Sequence, residues 1–455
     1  MDPRALGLPP NRIMVKLMVQ NRLRWKSLLQ PPHHTNKASS KPSFSSSSQQ
    51  PLRYAVIGAG FAGLSVAWHL LQHSPKDTHL CIDIYDEVGI GGGASGVAGG
   101  LLHPYSPKAK LLWSGAECWE ECLKLLRIAE TAEDGRTTER EAQDFTRNSN
   151  GLLVQRRGIL RPASDMKNAD ILKENAQNCL GSCRIEFIHK DAAQNLVPDL
   201  CVPVNSAVYM PQAVNVHPKR YLQALFLACQ NLVKDLSAAG YYGKEIHMHK
   251  KSVNRLLELA GEYNAVIICL GAKADTLLEL SGKLPLRTCR GIVAHLHLPN
   301  DTQGEYGDRS PSILSDAWLA VQGPRSMIMG STWQWGSRNY SSSVSAEEAS
   351  TALEELTQKA SSVYPVISKW ALTEAKAGLR AMPPLTPLGS LPLLGCVDDA
   401  VGHQNVRCRY WFFGGLGARG LLYHGWLGKL MAQAVISCDE DVLPLELTSW
   451  KSRMK

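Results

Sequence analysis

Residues 54–70 read YAVIGAGFAGLSVAWHL, a short apolar strand, three glycines and an apolar helix. Gly58, Gly60 and Gly63 form G-x-G-x-x-G between a strand expected over Arg53–Ile57 and a helix expected from Phe61 to about Gln72. The first glycine permits a tight turn, the second lets a pyrophosphate approach the backbone, and the third lets the helix pack on the sheet. The helix start, with Phe61 and Ala62, turns its free amides and positive dipole end toward the phosphates. A second strand follows, LCIDIYDEVG at residues 80–89, and ends in acids. Asp86 stands where a ribose hydroxyl is gripped, with Glu87 as its rival for that role.

Residues 88–105, VGIGGGASGVAGGLLHPY, point to flavin rather than nicotinamide. Nicotinamide domains usually enter another helix after the acidic residue. Here a glycine-rich loop with Ala94 and Ser95 follows, and glycines let a backbone lie close to a flat ring. The stretch resembles the G-x-x-A-S-G-x-x-x-G pattern of the D-amino acid oxidase/glycine oxidase superfamily.

Further segments match that superfamily in order. YMPQAVNVHPKRYLQALFLAC resembles its strand–proline–helix passage, with Pro218 near the start of a helix to about Leu236 and His217 where aspartate is frequent. YNAVIICLGAKADTL resembles the second strand-turn over the dinucleotide and adds Gly271. LRTCRGIVAHLHL and IMGSTWQWG look like strands of a substrate sheet, and Ser345 with Glu348 forms a capping box before a helix. AGLRAMPPLTPLGSLPLLG, residues 377–395, resembles a G-L-R-P passage in which the arginine, here Arg380, binds a substrate carboxylate; Ala381 replaces the proline and Leu388 stands where aspartate is common. YWFFGGLGARGLLYHGWLGKLMAQAV resembles the last strand, glycine turn and helix, which implies cofactor contacts at Gly415, Gly417, Ala418, Gly420 and Leu421. Arg419 lies where glycine oxidases carry a second active-site arginine. The G-A-R-G-L form is similar to the FAD domain of the bacterial enzyme that makes 5-methylaminomethyl-2-thiouridine in tRNA. No residue resembles a family cysteine for covalent flavin, so the implied FAD is non-covalent.

The net charge of +8 sits almost wholly in the leader: from Met1 to Leu52 there are eight basic residues and one acid, leaving +1 for the remainder. That balance argues against nucleic acid as a general partner. The leader is basic, then Ser/Pro-rich, with no apolar secretory core. It reads as an organelle transit peptide over residues 1–50, with plastid favoured over mitochondrion. No apolar run reaches the length of a membrane span. The 12 cysteines are scattered with no zinc-ligand spacing, and are expected to be reduced structural thiols; no metal site is expected.

The expected fold is α/β in two lobes. A Rossmann-type FAD-binding lobe is assembled from residues 53–110, 201–286 and 371–442. A substrate lobe with a mixed or antiparallel sheet comes from residues 111–200 and 287–370. The implied function is oxidation of a CH–NH bond of an amine or amino acid by hydride transfer to flavin N5, then imine hydrolysis, with dioxygen as acceptor. A tRNA-modifying flavin oxidase and a non-catalytic organellar assembly flavoprotein are the alternatives. A structural arginine is the alternative reading of Arg380 and of Arg419. His103 is open to a ring contact or a structural role. Trp333 and Trp335 share one strand face and read first as packing residues. Tyr306 and Tyr340 lie in stretches that cover the site. The Ser341–Ser345 run reads as a solvated linker. The oligomeric state is left open.

Overall fold

Strand β1 (Leu52–Ile57) passes through the glycine turn into helix α1 (Phe61–His73), and β2 (Leu80–Tyr85) returns beside it. This computed structural model describes residues 51–140, 152–241, 243–300, 306–402 and 408–453. The leader expected over residues 1–50 lies outside the described residues. A single helical turn α2 (Ala94–Val97) and a long helix α3 (Gly115–Arg140) come next. The strands β3 (Ile159–Pro162), β4 (Glu186–His189) and β5 (Ser206–Met210) precede α4 (Pro218–Ala238), which has proline in its first turn. Then follow β6 (Lys244–His249), β7 (Ala265–Ile268), β8 (Arg287–His297), β9 (Ser312–Ile313), β10 (Trp318–Gly323), β11 (Ser326–Gly330) and β12 (Gln334–Trp335). The chain ends through α5 (Ala346–Ser361), β13 (Ala371–Met382), β14 (Leu393–Cys396), β15 (Arg409–Gly414) and α6 (Gly420–Ser437).

The first sheet runs β14-β15-β7-β1-β2-β6, parallel except for β14. Its central strands are covered on both faces, which is why β1 and β7 read as unbroken apolar runs. On one face α1 is buried from Phe61 to Leu71 beneath α4 and α6. Tyr410, Phe412 and Trp450 close the other face with Leu256 and Leu277.

The second sheet has nine strands in the order β12-β8-β11-β10-β9-β3-β5-β4, with β13 along the other edge of β8. All its pairs are antiparallel except β9 with β3. The capping box is formed: Glu348 N–H donates to Ser345 Oγ at 3.1 Å, and Ser345 N–H donates to Glu348 Oε2 at 3.1 Å. It starts α5, whose Leu356 and Ala360 pack into the second core.

The lobe boundaries differ from the sequence expectation in three places. Helix α3 packs on α4 and α6, not on the second sheet, because its buried stripe (Cys118, Cys122, Leu125, Ala129) matches their faces. Strands β5 and β13 both belong to the second sheet, although they fall in stretches expected to build the first. Tyr306 does not cover the cavity described below: it is buried in the second core and its hydroxyl donates to Pro311 O at 2.6 Å. Among the described residues no helix is long and apolar enough to cross a membrane.

Candidate active site

One cavity of about 1040 Å³ runs from the first glycine turn to the C-terminal glycine turn, between the two sheets. The turn is shaped by steric need. Gly58 has φ +110°, and a Cβ there would lie 2.5 Å from Cys269 O. At Gly63 a Cβ would lie 1.8 Å from Gly58 O, so this glycine seats α1 against the turn without lining the cavity. Gly60, Phe61 and Ala62 line it. Phe61 N–H donates to Ser95 Oγ at 3.1 Å, which ties α2, with Ala94 beside it on the wall, to the start of α1. Neither α1 nor α6 has a side-chain cap or an acid in its first turn. Apart from Phe61 N–H, which Ser95 holds, the first amides of both helices are therefore bare, and each helix presents the positive end of its dipole at the cavity.

Asp86 and Glu87 both line the cavity and divide the work. Asp86 Oδ2 accepts from Ala59 N–H at 2.9 Å, while Oδ1 accepts from Val88 N–H at 3.0 Å and Gly89 N–H at 2.8 Å, so Asp86 braces the turn. Glu87 pairs with Lys273, which holds its carboxyl below the usual range. Gly271 is on the wall with φ +55°. Gly415, Gly417, Ala418, Gly420 and Leu421 close the far end. Gly417, at φ +55°, donates its N–H to Ala381 O at 2.9 Å and so fastens that turn to β13.

Arg380 and Arg419 are brought to the same cavity but in different states. Arg380 Nη2 donates to Thr332 O at 3.0 Å, Nη1 to Ser331 Oγ at 3.2 Å and Nε to Cys289 O at 3.5 Å. Its guanidinium lies 4.0 Å from the Trp333 ring centre, in space left by Gly291, whose Cβ would come 2.4 Å from Nη2. The Arg419 guanidinium makes no hydrogen bond or ion pair among the described residues, and neither does that of Arg161 on β3. Burial pulls down the pKa of both, and Arg161 lowers that of Arg419 further, while Asp316 opposes the shift on Arg161. His103 is buried beside them. Burial first, then Arg419 and Arg161, lowers its pKa to about 3. Its Nδ1 accepts from Tyr105 N–H at 3.3 Å, which assigns the proton of the neutral ring to Nε2.

Trp333 and Trp335 share a face but do not pack in a core: they are 46% and 48% exposed. Trp335 lies on β12, which pairs with β8 alone, and Trp333 lies just before that strand. They stack on each other at 6.0 Å, with Arg380 on the inner ring and Arg287 4.8 Å from the outer one. Trp333 and Tyr340 line the cavity. The serine run is more than a linker: Ser341 and Ser342 are on the wall, and Ser342 O accepts from Ala377 N–H at 3.1 Å as the chain crosses back to α5.

Arg161, Asp316, Trp318 and residues 251–254 also line the cavity and were not singled out in the sequence. Trp318 fills the place where a Cβ on Gly99 or Gly330 would meet it at 2.3 or 2.6 Å, a pairing no local spacing records. The cavity suits a dinucleotide flavin: two bare helix ends for anionic groups, glycine turns that admit close backbone approach, and a volume above that of most small-ligand pockets.

Residues 53–434 match the family model described as DAO, FAD dependent oxidoreductase. A Rhizobium etli protein carried under the name thiamine biosynthesis oxidoreductase ThiO is 29% identical over 175 residues, 38% of this chain; the match spans 45% of that relative's length. The fold is similar to that of glycine oxidase from Geobacillus kaustophilus, with TM-score 0.63, 18% identity, and 87% of this chain and 98% of that one covered. It is also similar to L-proline dehydrogenase from P. horikoshii, with TM-score 0.64, 14% identity, and 89% and 98% covered.

Proposed function

Because the chain belongs to the DAO family of FAD-dependent oxidoreductases, we propose that it oxidises the CH–NH unit of an amine or amino acid that carries a carboxylate. The observation that carries this reading is the unengaged guanidinium of Arg419, with Arg161 near it, at the cavity end where α6 begins. A guanidinium with all five N–H groups free can take a carboxylate with two parallel hydrogen bonds. Arg380 has its donors largely committed to Cys289, Ser331 and Thr332, which leaves it a single N–H to offer and makes it the wall against which the substrate is positioned. FAD held by the glycine turns and the helix ends would supply the two-electron acceptor, the product imine would hydrolyse in water, and dioxygen would be the final acceptor, reduced to hydrogen peroxide.

The chain's own part is orientation and electrostatics. Fixing the carboxylate at one end sets the reacting carbon at a constant height in the cavity, an effect of proximity and alignment. The bare N-terminus of α6 favours negative charge near Gly420 and Leu421. His103 stays neutral near pH 7 and holds its proton at Nε2, so it serves as a hydrogen-bond donor and not as a base. An amine that binds neutral needs no base from the protein.

The test uses FAD-loaded protein without oxygen and a panel of N-substituted glycines, D-amino acids and primary amines, read by loss of flavin absorption. One class should bleach the flavin. Arg419→Ala should then lower kcat/KM by about 100-fold or more, the worth of two charge-assisted hydrogen bonds. Bleaching by Arg419→Ala at the native rate would show that the carboxylate is held elsewhere.

A second reading, oxidation of an amine carried on a base of tRNA, is favoured by one observation: the exposed Trp333–Trp335 stack between two arginines at the cavity wall. Such a platform suits an unstacked base. Binding of tRNA that weakens steeply with salt and is lost in Trp335→Ala would support it; a yellow protein with neither bleaching nor tRNA binding would leave the assembly role.

A further inference from the structure

The outer edge of the first sheet carries a side-chain cluster that the cavity does not use. Strands β2 and β6 run parallel with Cys81 opposite Glu245 and Asp83 opposite His247. Successive odd positions on paired strands share a face, so these four side chains occupy one square of the sheet surface. None of them lines the cavity.

The distances match a ligand set. Ligand atoms of Cys81, Asp83 and His247 all lie within 4.8 Å of one another. Cys81 Sγ is 3.7 Å from Asp83 Oδ2, and His247 Nε2 is 3.1 Å from Glu245 Oε2. Ligands held at about 2.3 Å (sulfur) and about 2.0 Å (oxygen) in a tetrahedron stand roughly 3.5 Å apart. Asp83 is buried and already oriented: Arg53 Nη2 donates to Oδ2 at 2.9 Å, Tyr263 Oη to Oδ2 at 3.0 Å, and His249 Nε2 lies 2.7 Å from Oδ1. Fixed outer partners of this kind orient ligating carboxylates. Tyr263 has a second partner in Tyr85 Oη at 2.7 Å, so it can leave Oδ2 to a metal without losing its hydrogen bond.

We propose that Cys81, Asp83 and His247 form a three-residue binding site for a divalent transition metal of the zinc type, with water in the fourth position. The donor set decides the class: one sulfur, one imidazole nitrogen and carboxylate oxygen favour zinc and its neighbours, whereas magnesium and calcium take oxygen throughout. As the metal–sulfur bond forms, the Cys81 thiol releases its proton to water. The thiolate and the Asp83 carboxylate offset the charge of the divalent ion. The site joins edge strand β6 to β2 just before residues 251–254 enter the cavity wall, so an occupied site would fix that edge.

The test is metal counting on FAD-loaded protein, stripped with chelator and dialysed against Zn²⁺ with excess Mg²⁺. One equivalent of zinc per chain is expected, with a sulfur in the zinc X-ray absorption spectrum. Cys81→Ser and His247→Ala should each weaken retention by at least 10-fold at unchanged flavin content, and Cys438→Ser, at an exposed cysteine, should not. No zinc retained, or zinc that the double variant Cys81→Ser/His247→Ala still holds, would overturn the proposal. The readout does not depend on amine turnover, so its failure is separate from failure of the oxidase reading.

Discussion

Substituting Gly63 by alanine adds one methyl group where the structure has no room for it. The new Cβ would sit 1.8 Å from Gly58 O in the turn and 3.1 Å from Val56 Cγ1 in the central strand β1. To regain a van der Waals separation, α1 must withdraw by about 1.5 Å. Overpacking of this kind costs about 1–3 kcal/mol. With an unfolding entropy of about 0.8 kcal/mol/K for roughly 400 residues, the apoprotein should melt about 1–4 °C lower. The larger effect falls on the cofactor: the first amides of α1 move off their target, and losing two charge-assisted hydrogen bonds weakens flavin binding by about 100-fold or more. Gly93→Ala is the companion variant. Its Cβ meets nothing within 4 Å, yet Gly93 lines the cavity, so apoprotein melting should hold while flavin affinity falls. Thermal melts of apoprotein and a fluorescence titration with FAD read both effects. Native melting and native affinity in Gly63→Ala would refute the seating of α1 on the turn.

Three buried histidines make stability sensitive to acid. Burial lowers the pKa of His69 and His103 to about 3 and of His424 to about 4. The unfolded chain binds these protons first, near pH 6.5, so the stability they allow is complete above that pH and falls as pH drops toward 4, by up to about 4 kcal/mol per pH unit. Melting temperatures at pH 7.5 and pH 5 that coincide would contradict it. Ser345→Ala removes one half of the capping box and should cost about 0.5–2 kcal/mol, with Ser345→Asp restoring most of it; denaturant midpoints at constant slope measure this, and a neutral alanine variant would count against it.

The chemistry of the flavin half is written in short stretches. The reason for Gly63 is a local steric one against Gly58, and although Gly58 and Gly60 make room for Cys269 and Ser95, the pattern of three glycines between strand and helix still carries all three. The bare start of α6 is legible for the same cause. The substrate half is not local. Arg161 reaches the cavity because β3 pairs with β5 and β9, partners far apart in the chain, and nothing in ILRP announces that. The exposure of Trp333 and Trp335 depends on what packs over them in the tertiary fold, which the alternation that placed them on one face does not record. Likewise the share of work between Asp86 and Glu87 turns on which carboxylate meets the Ala59 amide, a difference of one residue that spacing does not resolve.

The position of β15 inside the first sheet governs the order in which this protein can be made. Strand β7 is apolar and fully buried, and β15 pairs along its outer edge from Arg409 to Phe412. A ribosome adding about 5–20 residues per second therefore leaves that edge open for roughly 7–30 s after Ile268 has emerged. An open apolar strand edge is a template for pairing with another chain, so the nascent protein has a defined window in which β7 is prone to mispairing. The far end of the cavity, from Gly415 to Leu421, is synthesised later still. The full lining of the flavin cavity is thus complete only after residues 415–421 have been made.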